Sequence, residues 1–314
     1  MSRLLEVDDL VVQYSVGRGR SLIAVDGVSL QLQPGAALGL VGESGCGKSS
    51  LARALAGVLQ PKAGSVRLGG SPLGWPRPQA DARSVQMVFQ DPSSALNPAL
   101  RVGRMLEELL LVHGLAPDKG AARARCEQLM HDVGLPVAVL DAKPRALSGG
   151  QRQRVGIARA LALEPEVLIA DEAVAALDSV VKKGVVELLQ ALRRDRGISL
   201  VFISHDLATV RTLCDEIAVM YLGTVVEHRS TTDLFAAPRH PYSAALLAAQ
   251  PNIGRRLDLS VPPALQGETP SPIDRPTGCP FAPRCAHAQP VCTTMESAEE
   301  TVVGGGRVRC HFPL

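Results

Sequence analysis

The sequence has little of what marks several classes of protein. Only 3% of its 314 residues are aromatic, and its formal net charge is +2. Nucleic-acid-binding proteins usually present a cationic face with stacking rings, so we expect no nucleic-acid partner. No uncharged apolar run approaches the ~18–20 residues of a membrane-spanning helix. Acidic residues directly follow a short apolar pair at the N-terminus, unlike a signal peptide. These features predict a globular, cytoplasmic protein.

The seven cysteines include no C-x-x-C pair. A disulfide framework is not expected in a cytosolic chain, and the spacing is not that of a zinc ribbon. Two interpretations remain for the C-terminal cysteines: free buried thiols, or ligands of an iron–sulfur cluster or zinc, with His287 and His311 as further candidate ligands. The four cysteines follow C-x5-C-x6-C-x17-C and are Cys279, Cys285, Cys292 and Cys310.

Strand and helix patterns alternate along most of the chain. The runs "AALGLVG", "VLIADE" and "ISLVFISH" predict buried strands, and "SVQMVFQ" predicts another that ends at Gln90. Residues 102–134 have helical periodicity, and the Pro- and Gly-rich residues 61–81 are predicted as loop. Such alternation predicts an α/β fold with a mostly parallel sheet. The alternating segments "LLEVDDLVVQY" and "SLIAVDGVSLQL" predict an antiparallel β edge.

A glycine-rich loop, "GESGCGKS", lies between a predicted strand and a predicted helix. It fits G-x-x-x-x-G-K-[ST], in which backbone N–H groups wrap phosphates, Lys48 neutralises the β- and γ-phosphate oxygens and Ser49 offers its hydroxyl to Mg²⁺. The alternative is a tight turn with a solvated lysine, but the flanking elements favour a nucleotide site. Its candidate binding residues are Gly42, Glu43, Ser44, Gly45, Cys46, Gly47, Lys48, Ser49 and Ser50.

Polar side chains follow three predicted strands at their carboxyl ends, where parallel sheets bind ligands. After "VLIA", Asp171 can hold Mg²⁺ and Glu172 can orient or deprotonate a water. His205 can donate a hydrogen bond to the γ-phosphate, and Gln90 can reach the metal or the water. Each alone is an ordinary polar strand end. Beside the glycine-rich loop, they predict an ATP-hydrolysing site.

The segment "LSGGQ" contains a second pair of glycines before a helix. Ser148 and Gln151 have the spacing of a capping box, which accounts for a helix start. A cap does not require Gly149 and Gly150, and the pair predicts that a bulky group approaches the backbone closely. With "LSGGQ" placed between the glycine-rich loop and "VLIADE", the chain resembles the ATP-binding subunits of ABC transporters.

This resemblance implies an architecture and a division of the chain. The implied fold is an ABC-type P-loop NTPase core over residues 1–232, with a helical subdomain inserted at about 93–160. Residues 233–314 would form a Pro- and Cys-rich C-terminal extension. In the family, the "LSGGQ" loop of one subunit covers the γ-phosphate of ATP held by the other, in a head-to-tail dimer.

The resemblance also implies roles for particular residues. Tyr14 is the candidate aromatic that stacks on adenine. Gln90 matches the Q-loop, Asp178 the D-loop and His205 the switch histidine. Asp178 also suits the N-cap of a helix. ATP and Mg²⁺ are the implied ligands, with Ser49, Gln90 and Asp171 as the candidate Mg²⁺ contacts.

Further segments narrow the resemblance to the oligopeptide/dipeptide importer ATPases: "MVFQDPSSALNP", "DLFAAPRHPYSAALL" and "GETPSPIDRPTGCPFAPRC". Cys46 and "PSPID" resemble the second of their two ATPase subunits. The implied partners are a sister ATPase subunit, two permeases that dock at residues 91–105 and, indirectly, a substrate-binding protein, at the cytoplasmic face of the membrane. Some members carry a [4Fe–4S] cluster in the extension, so the four C-terminal cysteines are its implied ligands.

Two departures and three alternatives accompany this prediction. Ala173 replaces the usual proline after the catalytic acid, which removes a fixed φ, and the D-loop reads "AALD" rather than "SALD". The alternatives are a soluble ABC-type ATPase unconnected with transport, an importer of nickel or a metal complex, and an inactive regulatory partner. Intact Lys48, Asp171, Glu172 and His205 argue against the last.

Overall fold

The structure, a computed structural model, describes residues 2–17, 19–91, 95–175, 177–249, 267–302 and 305–314. The elements of the N-terminal part are β1 (Leu5–Ser15), β2 (Ser21–Leu32), β3 (Ala37–Val41), α1 (Lys48–Leu55), β4 (Ala63–Leu68), β5 (Ser71–Pro72), α2 (Gln79–Ser84) and β6 (Val85–Val88). The middle part contains α3 (Val102–Val112), α4 (Lys119–Asp132), α5 (Gly149–Leu161), β7 (Val167–Asp171), α6 (Ser179–Arg196), β8 (Ser199–Ile203) and α7 (Leu207–Leu213). The C-terminal part contains β9 (Glu216–Tyr221), β10 (Thr224–Ser230), α8 (Thr231–Ala236), α9 (Pro241–Ala248), α10 (Pro290–Thr294), β11 (Glu299–Thr301) and β12 (Arg307–Arg309).

The main sheet has eight strands in the order β11-β12-β10-β9-β3-β8-β7-β6. The five strands from β9 to β6 pair in parallel, and the remaining pairs are antiparallel. Every residue of β3, β7 and β8 is buried, as expected for strands that are covered on both faces. The predicted α/β fold is confirmed.

Two apolar cores lie on opposite faces of this sheet, because successive side chains of a strand point to opposite sides. In β3, Ala37 and Val41 join the core under the helices of the middle part. Leu38 and Leu40 join the other core, which includes β1, β2 and α1. The sheet is thus rigidly sandwiched, and its carboxyl edge holds fixed positions for the residues that follow each strand.

A second sheet, in the order β2-β1-β4-β5, is wholly antiparallel and matches the predicted β edge. The prediction of loop over residues 61–81 was wrong where β4 and β5 form and where α2 begins, and correct between these elements. Strand β4 pairs with β1, with Leu68 opposite Leu5 and Val66 opposite Val7. Only a few apolar residues stand among the prolines and glycines here, and pairing with the neighbouring strand decides the conformation.

Strand β6 ends at Val88 and is therefore shorter than predicted. Gln90 therefore lies two residues beyond the strand, in a bend. The predicted strand "SVQMVFQ" is correct in its core and wrong at both ends, since residue 84 closes α2.

Helices α3, α4 and α5 follow β6 and precede β7 in the sequence, and they form the helical part in the middle of the chain. At the C-terminus, β12 pairs with β10, with Val308 opposite Glu227, so the last residues extend the main sheet. The division at residues 232 and 233 and the insertion at about 93–160 remain predictions. Among the described helices, none is long and apolar enough to cross a membrane.

Candidate functional site

The loop after β3 depends on glycines at its two ends. A Cβ on Gly42, whose φ is +149°, would lie 2.2 Å from the carbonyl oxygen of Met220. A Cβ on Gly47, with φ +106°, would lie 2.0 Å from the carbonyl oxygen of Ala24. Between them, Gly45 has φ +80° and no atom within 4 Å of the Cβ position. The loop is fixed at both ends and open in the middle, which lets an anion approach its N–H groups.

Lys48 begins α1 and turns its side chain back into this loop. Its Nζ donates to the carbonyl oxygens of Gly42 and Glu43, at 2.9 and 2.8 Å, and lies 3.4 Å from Cys46 Sγ. Lys48 is only 6% exposed. Burial raises the pKa of the Cys46 thiol, so the sulfur beside the ammonium group is uncharged. The loop thus holds a buried positive charge near its open face.

Ser49 and Asp171 connect the loop to the end of β7. The Ser49 hydroxyl donates to Asp171 Oδ1 at 3.1 Å. Asp171 is 3% exposed, and burial raises its pKa while the hydrogen bond from Ser49 opposes that rise. A nearby cation would favour the ionised carboxylate.

This pair fits Mg²⁺, which takes oxygen ligands and is usually held by one or two carboxylates together with water and substrate phosphates. No group of three or more His, Cys, Asp or Glu residues in the described ranges could hold a metal ion. A site completed by phosphate and water does not need such a group. Ser49 and Asp171 therefore carry oxygens that could hold Mg²⁺, and the predicted contact from Gln90 stays a prediction.

Glu172 lies at the meeting point of three strand ends. Its carboxylate accepts a hydrogen bond from Gln90 Nε2 at 2.7 Å, and His205 Nδ1 lies 3.6 Å from its other oxygen. Its backbone has φ +46°, a left-handed conformation that costs energy for glutamate. The Glu172 N–H donates to the carbonyl oxygen of Ile203 at 3.0 Å, which fixes that conformation. The structure brings together all three predicted catalytic residues.

Tyr14 lies beside the start of α1. Its hydroxyl and that of Ser50 are 3.1 Å apart and share a hydrogen bond. The ring therefore lies next to the glycine-rich loop, where an adenine contact was predicted. The stacking itself stays a prediction.

The "LSGGQ" segment is a complete helix cap. Ser148 N–H donates to Gln151 Oε1 at 2.9 Å, and Gln151 N–H donates to Ser148 Oγ at 3.2 Å. A Cβ on Gly150 would lie 2.4 Å from Val181 Cγ1, so an approach within this chain explains that glycine. At Gly149 nothing lies within 4 Å of the Cβ position. Of the two glycines, only Gly149 therefore leaves room for a bulky group from outside the chain.

Asp178 occupies the predicted N-cap of α6. Its carboxylate accepts hydrogen bonds from the N–H groups of Val180 and Val181, at 3.1 and 3.0 Å. Val181 is also the residue that contacts Gly150. The D-loop residue and the "LSGGQ" loop are therefore joined through one turn of α6.

The four C-terminal cysteines line one cavity, together with His240, His287 and His311. Burial raises the pKa of Cys310 to about 11, and it also raises the pKa values of Cys279 and Cys285. His240 is 1% exposed and accepts a hydrogen bond at Nδ1, while its Nε2 has no hydrogen-bond partner.

These residues do not make a metal site as they stand. The described residues contain no group of three or more His, Cys, Asp or Glu side chains able to hold a metal ion. The iron–sulfur cluster that the resemblance implies is therefore not supported by the arrangement of these side chains. The shared cavity is the feature that agrees with a group bound by cysteine sulfurs.

Sequence reasoning missed the residues of the C-terminal part that contact the glycine-rich loop, among them Thr269, whose hydroxyl donates to Glu43 Oε2 at 3.4 Å. Arg284 binds the Glu43 carboxylate, and the Tyr242 hydroxyl accepts a hydrogen bond from Glu43 N–H. The segment "GCPFAPRC" contributed to the resemblance and to the predicted cysteine ligands, but no contact with the glycine-rich loop was predicted for it. Its arginine, next to two apolar residues, was the available signal.

Comparison with known proteins decides the family. The ABC transporter family profile matches residues 25–175, and the profile of the oligopeptide/dipeptide transporter C-terminal region matches residues 226–292. The dipeptide transport ATP-binding protein DppF of Escherichia coli is 42% identical over 318 residues, covering 98% of this chain and 93% of that protein. The chain belongs to the ABC transporter ATP-binding proteins.

Other comparisons agree with this family. The oligopeptide transport ATP-binding protein OppF of Escherichia coli is 42% identical over 307 residues, covering 92% of this chain and 90% of that protein. The ATP-binding cassette MJ0796, in a dimeric post-hydrolysis structure with ADP and Pi, superposes with a TM-score of 0.66 at 27% identity, covering 72% of this chain and 98% of that chain. The residues that match the ABC transporter family include the parallel strands β3, β6 and β7. The second profile includes three of the four cysteines of the cavity.

Proposed function

We propose that this chain binds and hydrolyses ATP and thereby energises the import of peptides through an ABC transporter. The observation that carries the proposal is the position of Glu172 between Gln90 and His205, beside the Ser49–Asp171 pair. Further support comes from relatives that are named oligopeptide and dipeptide transport ATP-binding proteins.

The hydrolytic step uses the chain's own residues as follows. The phosphates of ATP lie along the open middle of the glycine-rich loop, and Lys48 donates to the β- and γ-phosphate oxygens. Ser49 and Asp171 would hold Mg²⁺, which would supply charge that neutralises the phosphates.

Glu172 orients a water and accepts its proton as the water oxygen bonds to the γ-phosphorus. The bond from that phosphorus to the bridging oxygen breaks, and ADP and phosphate leave. Gln90 holds the carboxylate of Glu172, and His205 donates to the γ-phosphate. Tyr14 stacks on the adenine ring.

The "LSGGQ" loop serves the nucleotide of a neighbouring subunit in a head-to-tail dimer. Ser148 and Gln151 keep the loop rigid, and Gly149 offers backbone with no side chain in the way, as close approach to a γ-phosphate requires. MJ0796, a structural relative, is described as dimeric. We propose a sister ATPase as the partner, with a second copy of this chain as the alternative.

The chain works at the cytoplasmic face of the membrane as a peripheral subunit. Two permease subunits dock at residues 91–105, of which 92–94 lie outside the described residues, and a substrate-binding protein delivers the peptide. The low net charge disfavours a nucleic-acid partner.

The test is to purify the full chain with the membrane proteins that it retains, identify them, and measure ATP turnover with added substrates. We expect a sister ATPase, two permeases and stimulation by peptides with the binding protein. Stimulation by nickel or a metal complex but not by peptides would replace peptide import by metal import. A chain that hydrolyses ATP and retains no membrane protein would favour the soluble ATPase.

A second proposal is that the cysteine cavity holds a [4Fe–4S] cluster. Its support is the common cavity of the four cysteines and the match to the C-terminal region of the oligopeptide/dipeptide transporters. We expect iron and acid-labile sulfide in the anaerobically purified chain. Cys285→Ala should lose both, whereas Cys126→Ala, at a buried cysteine of α4, should keep them. A reduced sample with neither iron nor zinc would exclude a metal centre.

A further inference from the structure

The second residue of the glycine-rich loop, Glu43, is bound by the C-terminal part of the chain. Arg284 Nη1 donates to Glu43 Oε2 at 2.6 Å, and Arg284 Nη2 donates to Oε1 at 3.0 Å. This bidentate geometry, with two parallel hydrogen bonds, is the strongest form of an arginine–carboxylate pair. The Arg284 side chain is only 4% exposed, so solvent screens the pair weakly.

The backbone of Glu43 is held from the same side. Its N–H donates to the hydroxyl of Tyr242, at 2.9 Å. Tyr242 is fully buried and packs with Tyr221 and Phe281, with ring centroids 4.7 and 5.3 Å away. Because these rings are fixed by packing, the hydroxyl that receives Glu43 has one position.

Glu43 in turn holds the lysine of the nucleotide site. Its carbonyl oxygen accepts a hydrogen bond from Lys48 Nζ at 2.8 Å. The residues 42–44 also line one cavity with His205 and with Leu246 of α9. The contacts therefore run without a break from Arg284, through Glu43, to the Lys48 side chain, to which the proposed function gives the phosphates.

We propose that Arg284 is a positioning residue of the nucleotide site: through Glu43 it fixes the glycine-rich loop and Lys48, so that the C-terminal part of the chain sets the affinity for ATP. This inference rests on the proposed ATPase function. Arg284 does not touch the reacting atoms, so its loss weakens ATP binding more than the chemical step.

The test compares two variants. Arg284→Met keeps the length and the apolar contacts of the side chain, whereas Arg284→Lys keeps the charge but not the bidentate hydrogen bonds. The full chain is titrated with ATP, and the assembled transporter gives KM and kcat. We expect Arg284→Met to raise the Kd and KM for ATP by roughly tenfold with kcat within about twofold, and Arg284→Lys to lie between.

Arg3→Met is the matched control. Arg3 also makes a multiple hydrogen-bonded pair with a distant carboxylate, that of Glu166, but at the amino end of β7, on the sheet edge away from the loop. We expect its ATP affinity to match that of the wild-type chain.

Glu43→Gln tests the same ion pair if the Arg284→Met chain does not fold. It keeps the size of the Glu43 side chain and removes its charge. It should raise the Kd for ATP, and adding Arg284→Met to it should change the Kd little further, since both changes break one interaction. A folded Arg284→Met chain with wild-type ATP affinity, or full additivity of the two changes, overturns the inference alone. A wild-type chain that binds no ATP overturns the proposed function as well.

Discussion

Replacing Glu172 by Gln separates the chemical step from nucleotide binding. The amide has the size of the carboxylate, and its oxygen can still accept the hydrogen bond that Gln90 donates at 2.7 Å. The left-handed backbone at this residue, φ +46°, is held by the N–H bond to Ile203 and does not depend on the side-chain charge. The variant therefore loses the proton acceptor and little else.

The magnitude follows from the role. A positioned general base contributes ~10²–10⁴-fold to a rate, which corresponds to ~3–5 kcal/mol of activation free energy. We expect turnover by the assembled transporter to fall by that factor. ATP affinity should stay the same or rise, because a negative charge next to the γ-phosphate has been removed and Lys48 and Ser49 are untouched.

The assay measures phosphate release by the assembled complex and ATP binding by the full chain. Glu166→Gln is the matched control, since it makes the same change directly before β7, where Glu166 pairs with Arg3 at 2.6 Å on the opposite sheet edge. Its turnover should match that of the wild-type complex. Turnover of the Glu172→Gln complex within threefold of wild type, or loss of ATP binding, would refute the assignment of Glu172 as the base.

Three further predictions test other parts of the molecule. Ser148→Ala removes a helix cap and should lower the free energy of unfolding by ~1 kcal/mol; phosphate release by the complex should fall while the ATP affinity of the isolated chain, measured by titration, stays unchanged. Gly47→Ala should abolish ATP binding in the same titration, because its Cβ would lie 2.0 Å from the Ala24 carbonyl oxygen. The hydrogen bond from His228 lowers the pKa of Glu216, so this pair stabilises the fold above the ordinary Glu pKa and the gain is lost as the pH falls through the lowered value. Glu216→Gln should therefore reduce the melting temperature at pH 7 and reduce it less at pH 3, in thermal melts.

Much of the parallel sheet and its edge could be predicted, because the signals there are local. An apolar run followed by a polar residue indicates both a buried strand and the group at its carboxyl end. That reasoning found Asp171, Glu172 and His205, which the structure brings to one edge. Gln90 was found for a partly wrong reason, since β6 ends two residues before it.

The contacts that depend on distant pairing could not be predicted. Strand β4 carries only the short alternation "SVRL" among prolines and glycines, and its pairing with β1 decides the conformation. The Glu43–Arg284 pair joins residues 241 positions apart, and neither residue is unusual in its own segment. Similarly, the sequence predicted an outside group close to Gly150, whereas in the fold Val181 of the same chain lies against it.

The Glu43–Arg284 pair also connects the glycine-rich loop with the cysteine cavity. Arg284 ends the turn Ala282–Arg284, and the next residue, Cys285, lines the cysteine cavity together with Phe281 and Ala282. A change that moves this turn must move the guanidinium group, and through it the loop that holds Lys48. On the proposal that the cavity binds a cluster, coupling would be reciprocal: a cluster that orders the cavity would favour ATP binding, and ATP would favour the ordered cavity. The cysteines could therefore affect ATP binding without taking part in the reaction. Cys285 directly follows Arg284, and Arg284 binds Glu43 of the glycine-rich loop.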